Sequence, residues 1–355
     1  MKRFKSIATA AFLVLATVAY ALPALPAAAQ SSASLSIVPK KTYTIEPGKS
    51  IKDTLTIRNL DAEKTLDLSL RVIDFTFTDD GGTPKLMLAE NAPQTTWSLK
   101  PFLTVPETVS IPPKTSKTLD MGVAIPTNQG AGSYYSAILY SSSAPDGGNV
   151  GLSASGVTLV FTTIPGEVDE RLTLENFGAY HNARSGKPAG YVYLATEKPQ
   201  TIAYTLKNDG NVTESPVGSI TIKHMFGAEQ VISDVNPNES LALIGQTRTF
   251  TSCIKLDTEE LNFNGGTSRS SQCEDPDLLP GYYSASLELY YGQNGNRTQE
   301  IVSSASFWYL PWWFIIAFLI VLAIVAYFVW RIVRAVRGRL YGPKRPRNVK
   351  LTRRR

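Results

Sequence analysis

Few residues in this chain are placed to do chemistry. Ser252-Cys253-Ile254-Lys255 has the Ser-x-x-Lys spacing with which a lysine draws the proton from a serine in acyl transfer. That chemistry needs the serine at a helix start, with Lys-Thr-Gly and Ser-Asp-Asn elements beside it. Neither tripeptide occurs, and the preceding Thr249-Phe250-Thr251 is strand-like. His181 and His224 are the only histidines, too few and too far apart in sequence for a metal triad. Glu274, Asp275 and Asp277 offer oxygen ligands to calcium but lack the Asp-x-Asp-x-Asp-Gly frame, so they read as a solvated acidic turn. Gly-x-Ser-x-Gly, a P-loop and Gly-x-Gly-x-x-Gly are absent. The expectation is a protein that acts by binding, with no catalytic set, cofactor or metal.

The two cysteines, Cys253 and Cys273, flank a Gly-, Ser- and Asn-rich stretch with too few apolar residues to order itself. In an oxidising compartment two lone cysteines usually pair as a structural staple, the alternative being two free or redox thiols. Closing a loop of about 20 residues stabilises by ~3 kcal/mol in the chain-entropy model. Asn211-Val212-Thr213, Asn238-Glu239-Ser240 and Asn296-Arg297-Thr298 fit the glycosylation acceptor pattern, which also arises by chance.

The elements that must hold these residues are strands. Ile51, Asp53, Leu55 and Ile57 alternate with Lys52, Thr54, Thr56 and Arg58. Leu66 to Val72 and Leu119 to Ile125 alternate in the same way. Period two with one apolar face is a half-buried strand. Turn residues fall between the runs: Pro47-Gly48, Asp79-Asp80-Gly81-Gly82, Pro112-Pro113 and Asp146-Gly147-Gly148-Asn149. Short strands near ten-residue spacing indicate a β-sandwich.

An internal repeat sets the domain count. Thr56-Ile57-Arg58-Asn59 returns as Thr205-Leu206-Lys207-Asn208. Gly132-Ser133-Tyr134-Tyr135-Ser136-Ala137 returns as Gly281-Tyr282-Tyr283-Ser284-Ala285. The reading is an all-β chain of two tandem Ig-like sandwiches, residues 33–166 and 167–307. Alternation places Tyr135, Ala137 and Leu139 on one face, as it does Tyr283, Ala285, Leu287 and Leu289, and a tyrosine entering a late strand resembles a tyrosine corner, so Tyr135 and Tyr283 are expected in the core. Tyr134, Tyr140, Tyr282 and Tyr290, with Tyr291, are then expected outside. Exposed aromatics can stack on sugars or anchor a protein, although cross-strand aromatic pairs also stabilise a bare sheet face.

The ends of the chain give its address. Residues 1–29 carry Lys2, Arg3 and Lys5, an apolar run and Ala27-Ala28-Ala29, the pattern of a secretory signal peptide. Residues 310–330 contain no charge, and ~31 Å of helix matches one hydrocarbon core. Trp308, Tyr309, Trp312 and Trp313 at one boundary, and Tyr327 and Trp330 at the other, read as aromatic belts. Residues 331–355 hold 11 Lys/Arg and no acid, a cytoplasmic tail by the positive-inside rule. The expected topology is single-pass in the cell membrane, ectodomain outside. The formal charge of +5 therefore misleads: the ectodomain keeps 21 basic against 30 acidic residues, a poor match to nucleic acid. The tail has the composition to hold anionic lipid head groups, though a topology determinant needs no more than this.

The order signal, sandwich, sandwich, span, basic tail is similar to the WxL-interacting proteins of Gram-positive cell surfaces. Ile45-Glu46-Pro47-Gly48-Lys49-Ser50 followed by Leu55-Thr56-Ile57-Arg58-Asn59 resembles that family's first-domain opening. Val109-Ser110-Ile111-Pro112-Pro113-Lys114, with Ile125-Pro126, resembles its later strands. Asn236-Pro237-Asn238-Glu239-Ser240 and Leu279-Pro280-Gly281-Tyr282-Tyr283 are similar to its partner domain. Asp79-Asp80-Gly81-Gly82 departs from the family's Asn-Gly-rich segment, and the cysteine pair is not typical of it. The resemblance implies a surface protein that binds cell-wall polymer through the first domain and a protein partner through the second. It carries over no catalytic or binding residue.

Two roles follow. One is a scaffold tying the membrane to wall polymer or surface proteins through a broad aromatic or charged face. The other is a tethered chaperone-like assembly factor, or accessory subunit of an envelope complex, that pairs an edge strand with a client.

Overall fold

The computed structural model describes residues 35–77, 84–89, 94–142, 156–183, 188–256, 260–263, 266–269, 273–292 and 297–341. The leader, the turns at 79–82 and 146–149, Asn296 and the tail beyond 341 lie outside them.

The chain is all-β, with two Ig-like β-sandwiches in tandem and one C-terminal apolar helix. In the first sandwich, a four-stranded sheet runs in the order Leu35–Ser36, Ser50–Asn59, Ser116–Ala124, Leu103–Thr104. It faces a five-stranded sheet ordered Lys40–Thr44, Gly156–Ile164, Gly132–Ser142, Leu66–Ile73, Thr108–Ile111. In the second, Gly190–Tyr191, Leu172–His181, Thr201–Asn208 and Thr247–Cys253 face Leu194–Ala195, Gln299–Tyr309, Gly281–Tyr291, Val217–His224 and Glu229–Ile232. Both five-stranded sheets begin with a short strand laid parallel to the last long one (Leu159↔Lys40; Leu194↔Trp308), and the other strand pairings among the described residues are antiparallel. The topology is thus duplicated.

The repeated asparagines have a physical role. Asn59 ends its strand fully buried, and its amide donates to the carbonyls of Lys64 (2.8 Å), Ile111 (3.0 Å) and Pro112 (3.3 Å). Asn208 does the same to Val212 (2.7 Å) and Ala242 (2.9 Å). Each side chain replaces water for carbonyls that leave the ladder at a turn.

The tyrosine repeat is one residue out of step with the fold. Gly132 (φ +142°) and Gly281 (φ +150°) are the equivalent strand entrances, where a Cβ would meet the Asn211 carbonyl or the His224 ring at under 3 Å. Counting from these glycines, Tyr134 rather than Tyr135 corresponds to Tyr283. The hydrogen bonds agree: Tyr134 Oη donates to Gly130 O (3.1 Å) and Tyr283 Oη to Leu279 O (2.8 Å), each four residues back. A one-residue slip exchanges the faces of a strand. Tyr140 is therefore not exposed: it is 1% accessible, packed with Ile138 between the sheets, and bonded to Thr158 Oγ1 (3.1 Å). Tyr134 packs against the same core, edge-on to Phe102. Tyr291 is also buried, because it shares the odd-numbered face of Tyr283, Ala285, Leu287 and Leu289. Tyr290 stands at the surface (37% accessible), and Tyr282 is half-buried beside Trp308.

Tyr135, Ala137 and Leu139 point out of their own sandwich and are still buried. With Ile73, Phe75 and Phe161 they form a third apolar cluster that takes in Leu243 and packs on Leu241 and Ile244 of the second sandwich. Polar contacts frame it. Ser133 N donates to Asn211 O (3.0 Å), Thr213 N to Ser133 Oγ (3.0 Å), and Phe77 N to Gln246 Oε1 (3.1 Å). The Arg248 guanidinium lies over Phe77 (5.0 Å) and Phe250 (5.1 Å). Thr213 of the first acceptor triplet is spent in this junction.

The last strand runs to Tyr309, further than residue 307, and is paired to its end: Trp308 N donates to Tyr193 O and Leu310 N to Ala195 O, both 2.8 Å. After a two-residue link, the helix Trp312–Tyr341 opens and continues past residue 330 into the arginines. Its stretch Trp312–Arg337 is long and apolar enough to cross a membrane.

Leu243 is fully buried in the shared cluster. Leu243→Ala is expected to cost the full chain about 3 kcal/mol in denaturant unfolding. A change below about 1 kcal/mol would mean that the two sandwiches do not share a core in solution.

Candidate functional site

The residues singled out for chemistry do not assemble. Ser252 lies in the strand Thr247–Cys253, buried, and its hydroxyl donates to Val235 O (3.2 Å). Lys255 is exposed beside Glu274 (3.1 Å) and Asp277 (3.3 Å), whose carboxylates hold its ammonium above its ordinary pKa. An amine held further above neutral stays protonated and has less free base to draw a proton, and the serine points elsewhere. The acidic turn is used up in ion pairs, Asp275 with Lys198 (2.9 Å) and the other two with Lys255. Among the described residues, no group of three or more His, Cys, Asp or Glu could hold a metal. His181 Nε2 meets Pro188 O (2.7 Å), whereas His224 is buried between Tyr283 and Phe226 with neither ring nitrogen bonded.

Sequence reading missed Glu214. It is 2% accessible, and burial with the nearby Glu170 charge pushes its carboxyl up to about 7. Gly292 N donates to one oxygen (3.1 Å), while the other is unpartnered. Among the described residues, no nucleophile or second base is bonded to it. Its backbone exchanges bonds with Ala242 (2.7 and 3.2 Å), which sets Leu243 into the shared cluster.

The feature able to take a partner is main chain. Among the described residues, Thr247–Cys253 is the outer strand of its sheet, paired only with Thr201–Asn208. Antiparallel residues alternate between bonding toward the neighbour and pointing away. Gln246 O accepts from Asn208 N and Ile254 N donates to Gln200 O, so even-numbered residues face inward. Thr247, Thr249 and Thr251 aim their N–H and C=O outward. Among the described residues, none of these groups takes part in a backbone hydrogen bond outside the sheet. The matching strand of the first sandwich, Ser116–Ala124, is covered near its end by Leu103–Thr104 (Leu103↔Val123).

The open edge is held firmly. Phe250 stacks on Tyr204 (5.1 Å, 4° between planes) inside the core. On the opposite face, hydroxyls run Tyr191–Thr205 (2.6 Å) and Thr205–Thr249 (2.7 Å). Arg248 N–H donates to Leu241 O (2.6 Å) at one end. At the other, the disulfide joins Cys253 to Cys273, beside a bridge between Leu256 and Cys273. A cavity of about 680 Å³ lies along the strand, walled by Arg248 to Cys253 and by residues 234–238. Asn236 fixes that wall by donating to Pro216 O (2.9 Å) and Ser240 O (3.0 Å).

No family model matches the chain, and no curated protein matches it. Among solved structures it is similar to the class 5 fimbriae chaperone CfaA: 11% identity over 76% of this chain and 98% of that one, TM-score 0.33. It is similar also to the E. coli chaperone DraB: 12% identity, 76% and 95% covered, TM-score 0.31. A third is the Salmonella enterica SafA pilin in complex with the SafB chaperone: 8% identity, 78% and 99% covered, TM-score 0.33. At this distance the likeness assigns no role to any residue.

Proline removes a backbone donor, so it separates the two sides of this strand. Thr251→Pro, which deletes an outward N–H, is expected to change stability by less than about 1 kcal/mol. Ser252→Pro deletes a ladder bond and is expected to cost on the order of 2–3 kcal/mol or to prevent folding. Thermal unfolding of both variants checks this, and equal losses would contradict the assigned direction of the edge.

Proposed function

We propose that this is a membrane-anchored envelope protein that binds an extended segment of a protein partner along Thr247–Cys253, adding it as a further strand. The observation that carries the reading is the outward row of main-chain donors and acceptors at Thr247, Thr249 and Thr251. Main-chain pairing supplies affinity without demanding one sequence, and the adjoining cavity supplies preference for alternate side chains. This suits a tethered assembly factor or the accessory subunit of an envelope complex. It favours them over a wall-polymer scaffold, whose outward aromatic face on the first sandwich would have used Tyr134 and Tyr140. The helix provides the anchor, with the sandwiches on the side where the signal sequence delivers them and the basic tail in the cytoplasm.

A photo-crosslinking residue at Thr251 of the full chain, introduced in the source cells, tests the reading. One discrete protein adduct is expected, absent with the same probe at Thr118 on the first sandwich, and lost when Thr249→Pro removes an outward donor. No adduct, or an adduct indifferent to Thr249→Pro, would overturn it. Retention on cell-wall sacculi in place of a protein adduct would restore the polymer scaffold.

A further inference from the structure

The end of the second sandwich nearest the helix is apolar in a way its own fold does not require. The register places four strand ends in one row. Ala195 pairs with Tyr309, Tyr309 with Gly281, and Met225 N donates to Tyr282 O (3.0 Å). With ~4.8 Å between neighbouring strands, the row is roughly 15 Å wide. Around it stand Tyr193, Leu194, Met225, Phe226, Leu279 and Trp308, each between 44% and 78% accessible. Phe226 sits at the tip of a tight hairpin, where Gly227 (φ +90°) turns the chain and His224 N donates to Ala228 O (2.7 Å). Six large apolar residues at one end of a sandwich form a patch rather than scattered exposure.

The chain itself says what meets this patch. Only Leu310 and Pro311 separate the row from the helix, and Leu310 is still bonded to Ala195. The first helical residues, Trp312 and Trp313, are exposed indoles of the kind that sit at head-group level. Loops in the same row as a strand two residues from that level cannot lie far above it. The pairs Lys223–Glu229 (3.2 Å) and Lys255–Glu274 (3.1 Å) border the patch, so charge is available to the head groups while the apolar tips reach below them.

We infer that this apolar collar docks into the interfacial region of the leaflet the helix enters, so that the second sandwich rests on the bilayer in a fixed orientation. The inference rests on the helix spanning a membrane. Aromatic and aliphatic side chains seated at the boundary of head groups and acyl chains gain burial that a free-standing stalk would forgo. Docking also fixes the height and heading of the Thr247–Cys253 edge for partners held in the same membrane.

The test uses the full chain in lipid bilayers with its disulfide intact. Phe226→Cys and Leu279→Cys carry an environment-sensitive fluorophore, with Ile320→Cys in the helix and Thr118→Cys on the first sandwich as references. Lipids bear a nitroxide either near the top of the acyl chain or near its methyl end. Docking predicts at least about twofold quenching at Phe226 and Leu279 by the shallow nitroxide, little by the deep one, and none at Thr118. Quenching at Ile320 without quenching at Phe226 and Leu279 would overturn the docking while leaving the span intact. No quenching at Ile320 or at either collar position would overturn the spanning reading itself, and the docking with it.

Discussion

The strand Gly132–Ser142 is buried on both faces, and the rest of the molecule depends on that. One face, with Ile138 and Tyr140, closes the first sandwich. The other, with Tyr135, Ala137 and Leu139, closes the junction with the second through Leu243. An apolar junction framed by Ser133 N donating to Asn211 O and Phe77 N donating to Gln246 Oε1 leaves little room for hinge motion. At the far end, continuous strand pairing as far as Tyr309 and a two-residue link carry the same stiffness into the helix. Orientation thus passes from helix to second sandwich to first by packing and hydrogen bonds.

An open sheet edge is a hazard that proteins blunt with lysine, proline, bulges or a covering segment. The first sandwich does so with Leu103–Thr104. The second presents three threonines with β-branched side chains suited to an extended partner. It fixes that edge at both ends, by Arg248 between Phe77 and Phe250 and by the disulfide at Cys253. In the proposed reading, the strand before the disulfide would meet a partner already ordered, which lowers the entropic cost of adding a strand. The same disulfide accounts for both cysteines without invoking redox chemistry.

Much of this was legible in the sequence. Alternation at Ile51 to Ile57 and Leu119 to Ile125 exposed the strands, and Asn59 with Asn208 exposed the duplication, because each of those residues answers to a local rule. The cysteine pairing followed from composition. The tyrosines misled for a definite reason. A strand apolar on both faces carries no alternation signal to say which face belongs to its own core. The repeated Tyr-Tyr-Ser-Ala then invited a match one residue off the true register set by Gly132 and Gly281. The open edge was invisible because nothing in Thr247 to Cys253 records whether a second neighbour exists; that is a property of the assembled sheet. Glu214 was unreadable for a similar reason, since its raised carboxyl reflects burial and a charge 44 positions away in sequence.

Residue-resolved amide hydrogen exchange on the full chain, in native membranes and after purification, tests the central claim most directly. The account predicts that in the purified protein Thr247, Thr249 and Thr251 exchange fast while Arg248, Phe250 and Ser252 exchange slowly. In native membranes the three threonine amides should slow as a partner strand pairs with them. Uniformly slow exchange along the strand in the purified protein, or no difference between the two preparations, would contradict it.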